Sequence, residues 1–108
     1  MTLREVLIEA ATGVEDDVVA VDLDGGTSWS AAGVVFAGLD RAGTTASFRL
    51  DPVLAGAARR TPDVGSSPGG PEWVTFRPSV LDGHAADRAA AWFVAALRRV
   101  ASRAETRT

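Results

Sequence analysis

The chain has 108 residues, 46% of them hydrophobic and 23% charged, a composition typical of one globular domain with a single core. It contains no cysteine, lysine or tyrosine, which excludes disulfides, thiolate metal sites, Schiff bases and the lysine of a phosphate-binding loop. Its single histidine, His84, excludes a multi-histidine metal site. No apolar run approaches the roughly 20 residues of a membrane span. The N-terminus also lacks the pattern of a secretory signal. We therefore expect a cytoplasmic protein without membrane contact, forming one domain over residues 1–108.

The net charge of −3 conceals an uneven distribution along the chain. Residues 1–51 contain nine acidic residues and three arginines, a balance of −6. Residues 52–108 contain five acidic residues and eight arginines, a balance of +3. An acidic chain is not a natural non-specific DNA binder, because phosphate neutralisation dominates that affinity. The basic half still offers a docking surface for a polar partner, beside the simpler interpretation of two solvated faces.

The first half of the chain has the pattern of one helix followed by a run of strands. Thr2 and Glu5 have the spacing of a capping box, and the apolar residues that follow recur at helical spacing. Val19, Val21 and Leu23 fall on one side of the next extended segment. Short turns separate the further segments, so the pattern predicts an antiparallel meander. The predicted helix covers residues 3–12, and three or four strands follow it, over about 17–23, 34–39 and 44–50, with or without a short strand over 27–30.

The second half adds two helices and a strand. Asp51-Pro52 is a strong start signal, because aspartate caps a helix and proline suits its first turn. The residues from 61 to 71 are rich in glycine, serine and proline, and we expect a mobile loop there. A strand over 72–77 and a long helix over about 84–103 follow. The predicted order is α-β-β-β-α-β-α.

The long helix carries two stripes at about 100° per residue. Its core stripe consists of Ala86, Ala89, Phe93, Leu97, Val100 and Ala104. The second arc lies roughly 120° from the first and consists of Arg88, Trp92, Arg99 and Arg103. Exposed tryptophan and arginine are typical interface anchors, so these four residues form the candidate binding surface. The alternative is that Trp92 covers a sheet edge while arginine stems pack along it.

The segment from Val21 to Thr27 resembles the first motif of haloacid dehalogenase-like phosphatases. In that family the first aspartate attacks phosphorus and the second moves a proton beside a magnesium ion, roles that would fall to Asp22 and Asp24. This chain has an extra glycine before the threonine, and it is about half the length of that fold. We therefore favour an ordinary β-turn and keep the Asp22/Asp24 magnesium-dependent phosphatase as a remote alternative.

Other catalytic motifs are weak. His84 could be combined with a serine and an acid into a triad, but the sequence has no Gly-x-Ser-x-Gly elbow. The stretch from Gly65 to Gly70 lacks the Gly-Lys-Ser/Thr of a phosphate-binding loop. We expect no enzymatic activity, no cofactor and no metal site.

Three short stretches resemble the MmcQ/YjbR family and, more distantly, the N-terminal domain of TfoX proteins. They are Gly33-Val34-Val35-Phe36-Ala37, Phe48-Arg49-Leu50-Asp51-Pro52 and Glu72-Trp73-Val74-Thr75-Phe76. The resemblance implies a two-layer α+β fold in which helices cover an antiparallel sheet. It also passes on a DNA-binding hypothesis, and it supplies no catalytic residues.

The leading functional hypothesis is a non-enzymatic domain that contacts an unknown macromolecule, with nucleic-acid binding through the basic C-terminal helix as the alternative. A two-layer fold leaves one sheet face uncovered. If the third and last strands are apolar on both faces, Val34, Phe36 and Trp73 form an exposed patch there. We therefore expect a homodimer through this face, against a monomer in which those residues belong to the core.

Overall fold

The helices and the runs of strands between them follow one another along the chain in the predicted order. The computed structural model describes residues 2–14, 17–67 and 69–106, with side chains up to residue 102. The elements are α1 (Leu3–Thr12), β1 (Val19–Leu23), β2 (Gly26–Ala31), β3 (Val34–Leu39), β4 (Ala46–Arg49), α2 (Pro52–Arg59), β5 (Val64–Ser67), β6 (Gly70–Phe76) and α3 (Gly83–Thr106). The α+β class is confirmed, with four described strands before α2 and two after it. Among the described residues, no helix combines the length and apolar character needed to cross a membrane.

Side-chain oxygens cap the start of each described helix. The Thr2 hydroxyl accepts the N–H of Glu5 at 3.1 Å, as the predicted capping box requires. The Asp51 carboxylate accepts two N–H groups of the first turn of α2. The Asp82 carboxylate accepts the N–H of Ala85 at 2.9 Å. Each helix therefore begins where its free N–H donors find a local acceptor.

The strands form one antiparallel sheet in the order β1-β2-β3-β4-β6-β5. We call the face that carries Trp29, Phe48 and Phe76 the inner face. α3 lies against β2, β3 and β4, α1 packs against α3, and α2 contacts β5 and β6. The core therefore lies between α3 and the inner face.

Aromatic rings connect α3 to the sheet. Phe93 is fully buried and Trp92 is nearly so. Both rings form edge-to-face or tilted pairs with aromatic rings of the sheet, and such pairs add to the stabilisation that burial provides. Their ring centroids are 5.1–6.2 Å apart, in the pairs Trp29–Phe93, Phe36–Phe93, Phe48–Trp92 and Phe76–Trp92.

A β-bulge interrupts the alternation of β3. Trp29 pairs with Ala37, but the next residue, Ser30, pairs with Val35, so Phe36 has no partner on β2. The bulge places two consecutive residues, Phe36 and Ala37, in the core. The expectation that Phe36 belongs to an exposed self-association patch is therefore wrong, because strict alternation fails at this point.

Residues 64–67 form an edge strand rather than part of a mobile loop. This strand, β5, pairs with β6, and its ladder shifts register between Ser66 and Ser67. A Cβ added at Gly65 would lie 3.3 Å from the Thr75 hydroxyl, so a small residue suits this close approach. Pairing with a neighbouring strand here outweighs the weak local β-propensity of glycine and serine.

Candidate functional site

The aromatic residue of the predicted contact surface on α3, Trp92, is buried in the core. Trp92 is 9% exposed, and its ring packs edge-on against Phe76 at 5.1 Å and tilted against Phe48 at 6.2 Å. The buried residues of α3 cover an arc of about 140° that includes Trp92 at its flank. The sheet covers a wider stripe of the helix than the sequence pattern indicates, so Trp92 belongs to the core and is not an interface anchor.

Arg99 is held in an ion-pair cluster. Its Nη2 donates to Glu72 Oε1 at 2.7 Å, and its Nη1 donates to the carbonyl oxygen of Leu50 at 3.3 Å. The Nε of Arg49 donates to the second oxygen of Glu72 at 3.0 Å. These hydrogen bonds, first that of Arg99 and then that of Arg49, lower the pKa of Glu72 to about 2. Arg99 therefore ties α3 to β4 and β6, and it shares the single negative charge of Glu72 with Arg49.

The predicted contact surface also includes Arg88 and Arg103, and the structure describes the side chain of Arg88 alone. The Arg88 side chain is exposed, with no hydrogen-bond or ion-pair partner among the described residues. The side chain of Arg103 lies outside the described part of the chain, so its predicted contact role stays a prediction. The three predicted contact residues with described side chains therefore do not share one accessible surface, since Arg88 is exposed, Trp92 is buried and Arg99 is bonded to Glu72.

Arg88 lines a cleft of about 300 Å³ at the start of α3. Asp63, Ser79 and His84 also line this cleft. The Asp63 carboxylate accepts the N–H of Ser79 and its hydroxyl at 3.1 Å, which anchors the loop before α3. His84 has no hydrogen bond to either residue in the described structure, so the nucleophile–base contact of a catalytic triad is not formed.

The aspartates of the phosphatase-like motif flank a β-hairpin turn between β1 and β2. Asp24 and Gly25 have positive φ angles of 54° and 85°, as a type I′ turn requires. The Thr27 hydroxyl donates to Asp22 at 2.7 Å and accepts from Arg4 Nη1 at 2.7 Å. Asp22 is thus part of a contact between the hairpin and α1. Among the described residues, no group of three or more histidine, aspartate or glutamate side chains is suited to hold a metal ion.

The outer face of the sheet carries an exposed apolar patch near the β1 edge. Its members are 44–72% exposed, and we call them the outer patch: Val19, Val21, Leu23 and Val35. Val19 and Val35 lie in one cross-strand row on either side of Ser30. The alternation of β1 is visible in the sequence, but it does not reveal that the apolar side points outward.

The patch predicted from the sequence has different members. Val34 and Trp73 are half-buried, and Phe36 is fully buried. A Cβ added at Gly69 would lie 3.0 Å from the Trp73 ring, so the chain itself covers part of that ring. The expectation of an uncovered apolar sheet region holds near β1, while its assignment to Val34, Phe36 and Trp73 does not.

The molecule is an α+β domain with an exposed apolar patch, an ion-pair cluster of two arginines and one glutamate, and a shallow polar cleft. Comparison with protein families, curated proteins and solved structures finds no match to the chain.

Proposed function

We propose that this domain is a non-enzymatic, cytoplasmic binding module that works through protein contacts, and that a second copy of the chain is its partner. The outer patch carries this proposal. Large contiguous apolar patches are rare on the surface of monomeric proteins, and apolar patches rimmed by polar residues are typical of protein interfaces. The other large exposed apolar side chains, those of Ile8, Val53 and Val80, lie singly on separate parts of the chain.

The MmcQ/YjbR resemblance supports the same kind of fold and supplies the nucleic-acid alternative. Arg88 and Arg98 favour this alternative, because both are exposed on α3 without a partner among the described residues. Arg99 and Arg49 weigh against it, because both are engaged by Glu72, and the two arginines and one carboxylate together carry a net charge of only +1. Binding of duplex DNA that weakens steeply as salt rises would favour it over self-association.

The phosphatase alternative has the least support. Asp22 is engaged with Thr27 beside a hairpin turn, and its neighbours provide no cluster of metal ligands in the described part of the chain. Magnesium-dependent hydrolysis of a phosphate ester that is lost in Asp22→Asn would revive this alternative.

Sedimentation velocity over a range of protein concentrations tests the self-association proposal. We expect the average mass of the wild type to rise from one chain towards two as the concentration increases. Val21→Lys places a charge in the outer patch and should remain monomeric. Val53→Lys is the matched control, because Val53 is 84% exposed on α2, away from the patch, and should behave as the wild type. A wild type that stays monomeric at every concentration overturns the proposal.

A further inference from the structure

The free edge of β1 is regular over its whole length. All five residues pair with β2 without a register shift, from Val19 opposite Ser30 to Leu23 opposite Gly26. A two-residue turn closes this hairpin, so Leu23 and Gly26 form the pair that exchanges both backbone hydrogen bonds. Because this exchange alternates along an antiparallel ladder, Val19 and Val21 also bond to β2. The backbone N–H and C=O groups of Ala20 and Asp22 therefore point to the free edge.

The two edges of the sheet differ in their protection. Natural edge strands avoid uncontrolled pairing by means of proline, charged side chains (lysine above all), bulges or short length. β5 has four residues, a register shift and neighbouring glycines. β1 has five exposed residues and no proline, lysine or register shift, and the carboxylate of its one charged residue, Asp22, is bonded to the Thr27 hydroxyl. β1 is thus the less protected edge of the sheet and the one that can pair with another strand.

The residues of β1 are also complementary to themselves in one antiparallel register. When a second β1 strand pairs along this edge, the free N–H and C=O groups are used only in registers in which Ala20 and Asp22 form the hydrogen-bonded pairs. Centring the pair on Asp22 would place two aspartates directly opposite each other, which is unfavourable. Centring it on Ala20 would place Asp17 opposite Leu23. Centring it on Val21 places Ala20 opposite Asp22 and Val19 opposite Leu23, so the outer-face side chains of β1 meet apolar counterparts and no like charges are directly opposed.

We propose that two copies of this chain pair antiparallel along β1, about a two-fold axis through Val21, and so form one continuous twelve-stranded sheet. This inference rests on the proposed self-association and specifies its geometry. The outer patches of the two copies then join into one ridge of cross-strand pairs, with Val21 beside its own counterpart. A five-residue edge buries less than the roughly 800 Å² per partner of a standard interface, so the dimer is weak and depends on concentration.

Single-cysteine variants test this geometry, because the wild type contains no cysteine. In the proposed register the two copies of residue 21 face each other as a non-hydrogen-bonded pair with Cα atoms about 4.5 Å apart, within reach of a disulfide. Val21→Cys should therefore form a disulfide-linked dimer under mild oxidation with copper phenanthroline. Val35→Cys is the matched control from the same patch. Its two copies lie five strand spacings apart, about 24 Å, and should not crosslink.

A second variant tests the backbone pairing. Ala20→Pro removes an N–H that points to the free edge, so the β1–β2 ladder keeps its hydrogen bonds while the proposed pairing loses two across the axis. In the Val21→Cys background it should reduce the crosslinked fraction at least tenfold, with the circular dichroism of the monomer unchanged.

The outcomes separate this geometry from the proposed function. A dimer by sedimentation in which Val35→Cys crosslinks and Val21→Cys does not indicates face-to-face packing; it overturns the edge pairing and leaves self-association standing. A dimer in which neither variant crosslinks also overturns the edge pairing. A chain that is monomeric by sedimentation and does not crosslink overturns both.

Discussion

Glu72 joins two segments that are distant in sequence, since its carboxylate accepts hydrogen bonds from Arg49 on β4 and Arg99 on α3. Its position could have been suspected from the sequence. Glu72 lies on the same side of its strand as Val74 and Phe76, and an acid among inward-facing apolar residues needs a partner. Which arginines provide that partner depends on the tertiary fold, because Arg99 lies 27 residues away along the chain.

Replacing Glu72 should make acid stability measurably different. The pKa of Glu72 is lowered from 4.5 to about 2. The ionised carboxylate therefore stabilises the fold fully above the ordinary pKa, and this contribution disappears as the pH falls from about 4.5 to about 2. Glu72→Gln should lower the free energy of unfolding at pH 7 by about 1–2 kcal/mol, a modest value because the group is partly exposed.

Urea unfolding of the wild type and Glu72→Gln between pH 7 and pH 2 measures this contribution. The two curves should converge at the acid end. Equal free energies of unfolding at pH 7 would show that the cluster contributes nothing to stability.

Substitutions at Trp92 and Arg88 test which of these two residues of α3 belongs to the core. Its burial between Phe48 and Phe76 means that Trp92→Ala should cost about 3–5 kcal/mol of stability, from lost transfer free energy and the cavity left behind. Arg88→Ala, four residues earlier on an exposed side of the same helix, should change stability by no more than about 0.5 kcal/mol. Thermal and urea unfolding compare the two variants. A melting temperature that is nearly unchanged in Trp92→Ala would return this residue to the surface.

At the level of elements, the bulge in β3 decides which neighbouring residue belongs to the core. Phe36→Ala should cost about 3–5 kcal/mol, because the Phe36 ring is fully buried against Phe93. Val35→Lys should stay within about 0.5 kcal/mol of the wild type when measured on the dilute monomer, because Val35 points outward. The same effect of both substitutions on urea unfolding would contradict the bulge.

The elements that the sequence predicts well are those with local physical causes. The helix starts follow from Thr2 and Asp51, whose side chains cap their own first turns. The bulge at Phe36 and the strand β5 have no such local signal. Both depend on a neighbouring strand, since Phe36 is displaced by the pairing with β2 and β5 is held by β6. Tertiary pairing thus supplies what periodicity lacks.

For the whole molecule, residues from the acidic and the basic half of the sequence contact each other across the fold. Arg49 from the acidic half and Arg99 from the basic half meet at Glu72. Arg4 reaches the hairpin turn of Asp24 and Gly25, where its Nη2 donates to the Gly25 carbonyl oxygen at 3.2 Å. Some of the charged residues that make the two halves of the sequence differ are therefore engaged in contacts within the fold. The apolar side chains that remain exposed together form the outer patch beside the free β1 edge.

Self-association through this edge links the stability of the molecule to its concentration. A dimer that forms only from folded chains stabilises the fold by mass action, so its melting temperature rises with protein concentration. For a domain of this size the rise should be about 3–5 °C for each tenfold increase once dimers dominate. Val21→Lys should melt at the temperature of the dilute wild type whatever its concentration, while Val53→Lys should keep the dependence. Differential scanning calorimetry across a hundredfold range of concentration measures this shift, and a wild type whose melting temperature ignores concentration would show that the β1 edge stays unpaired in solution.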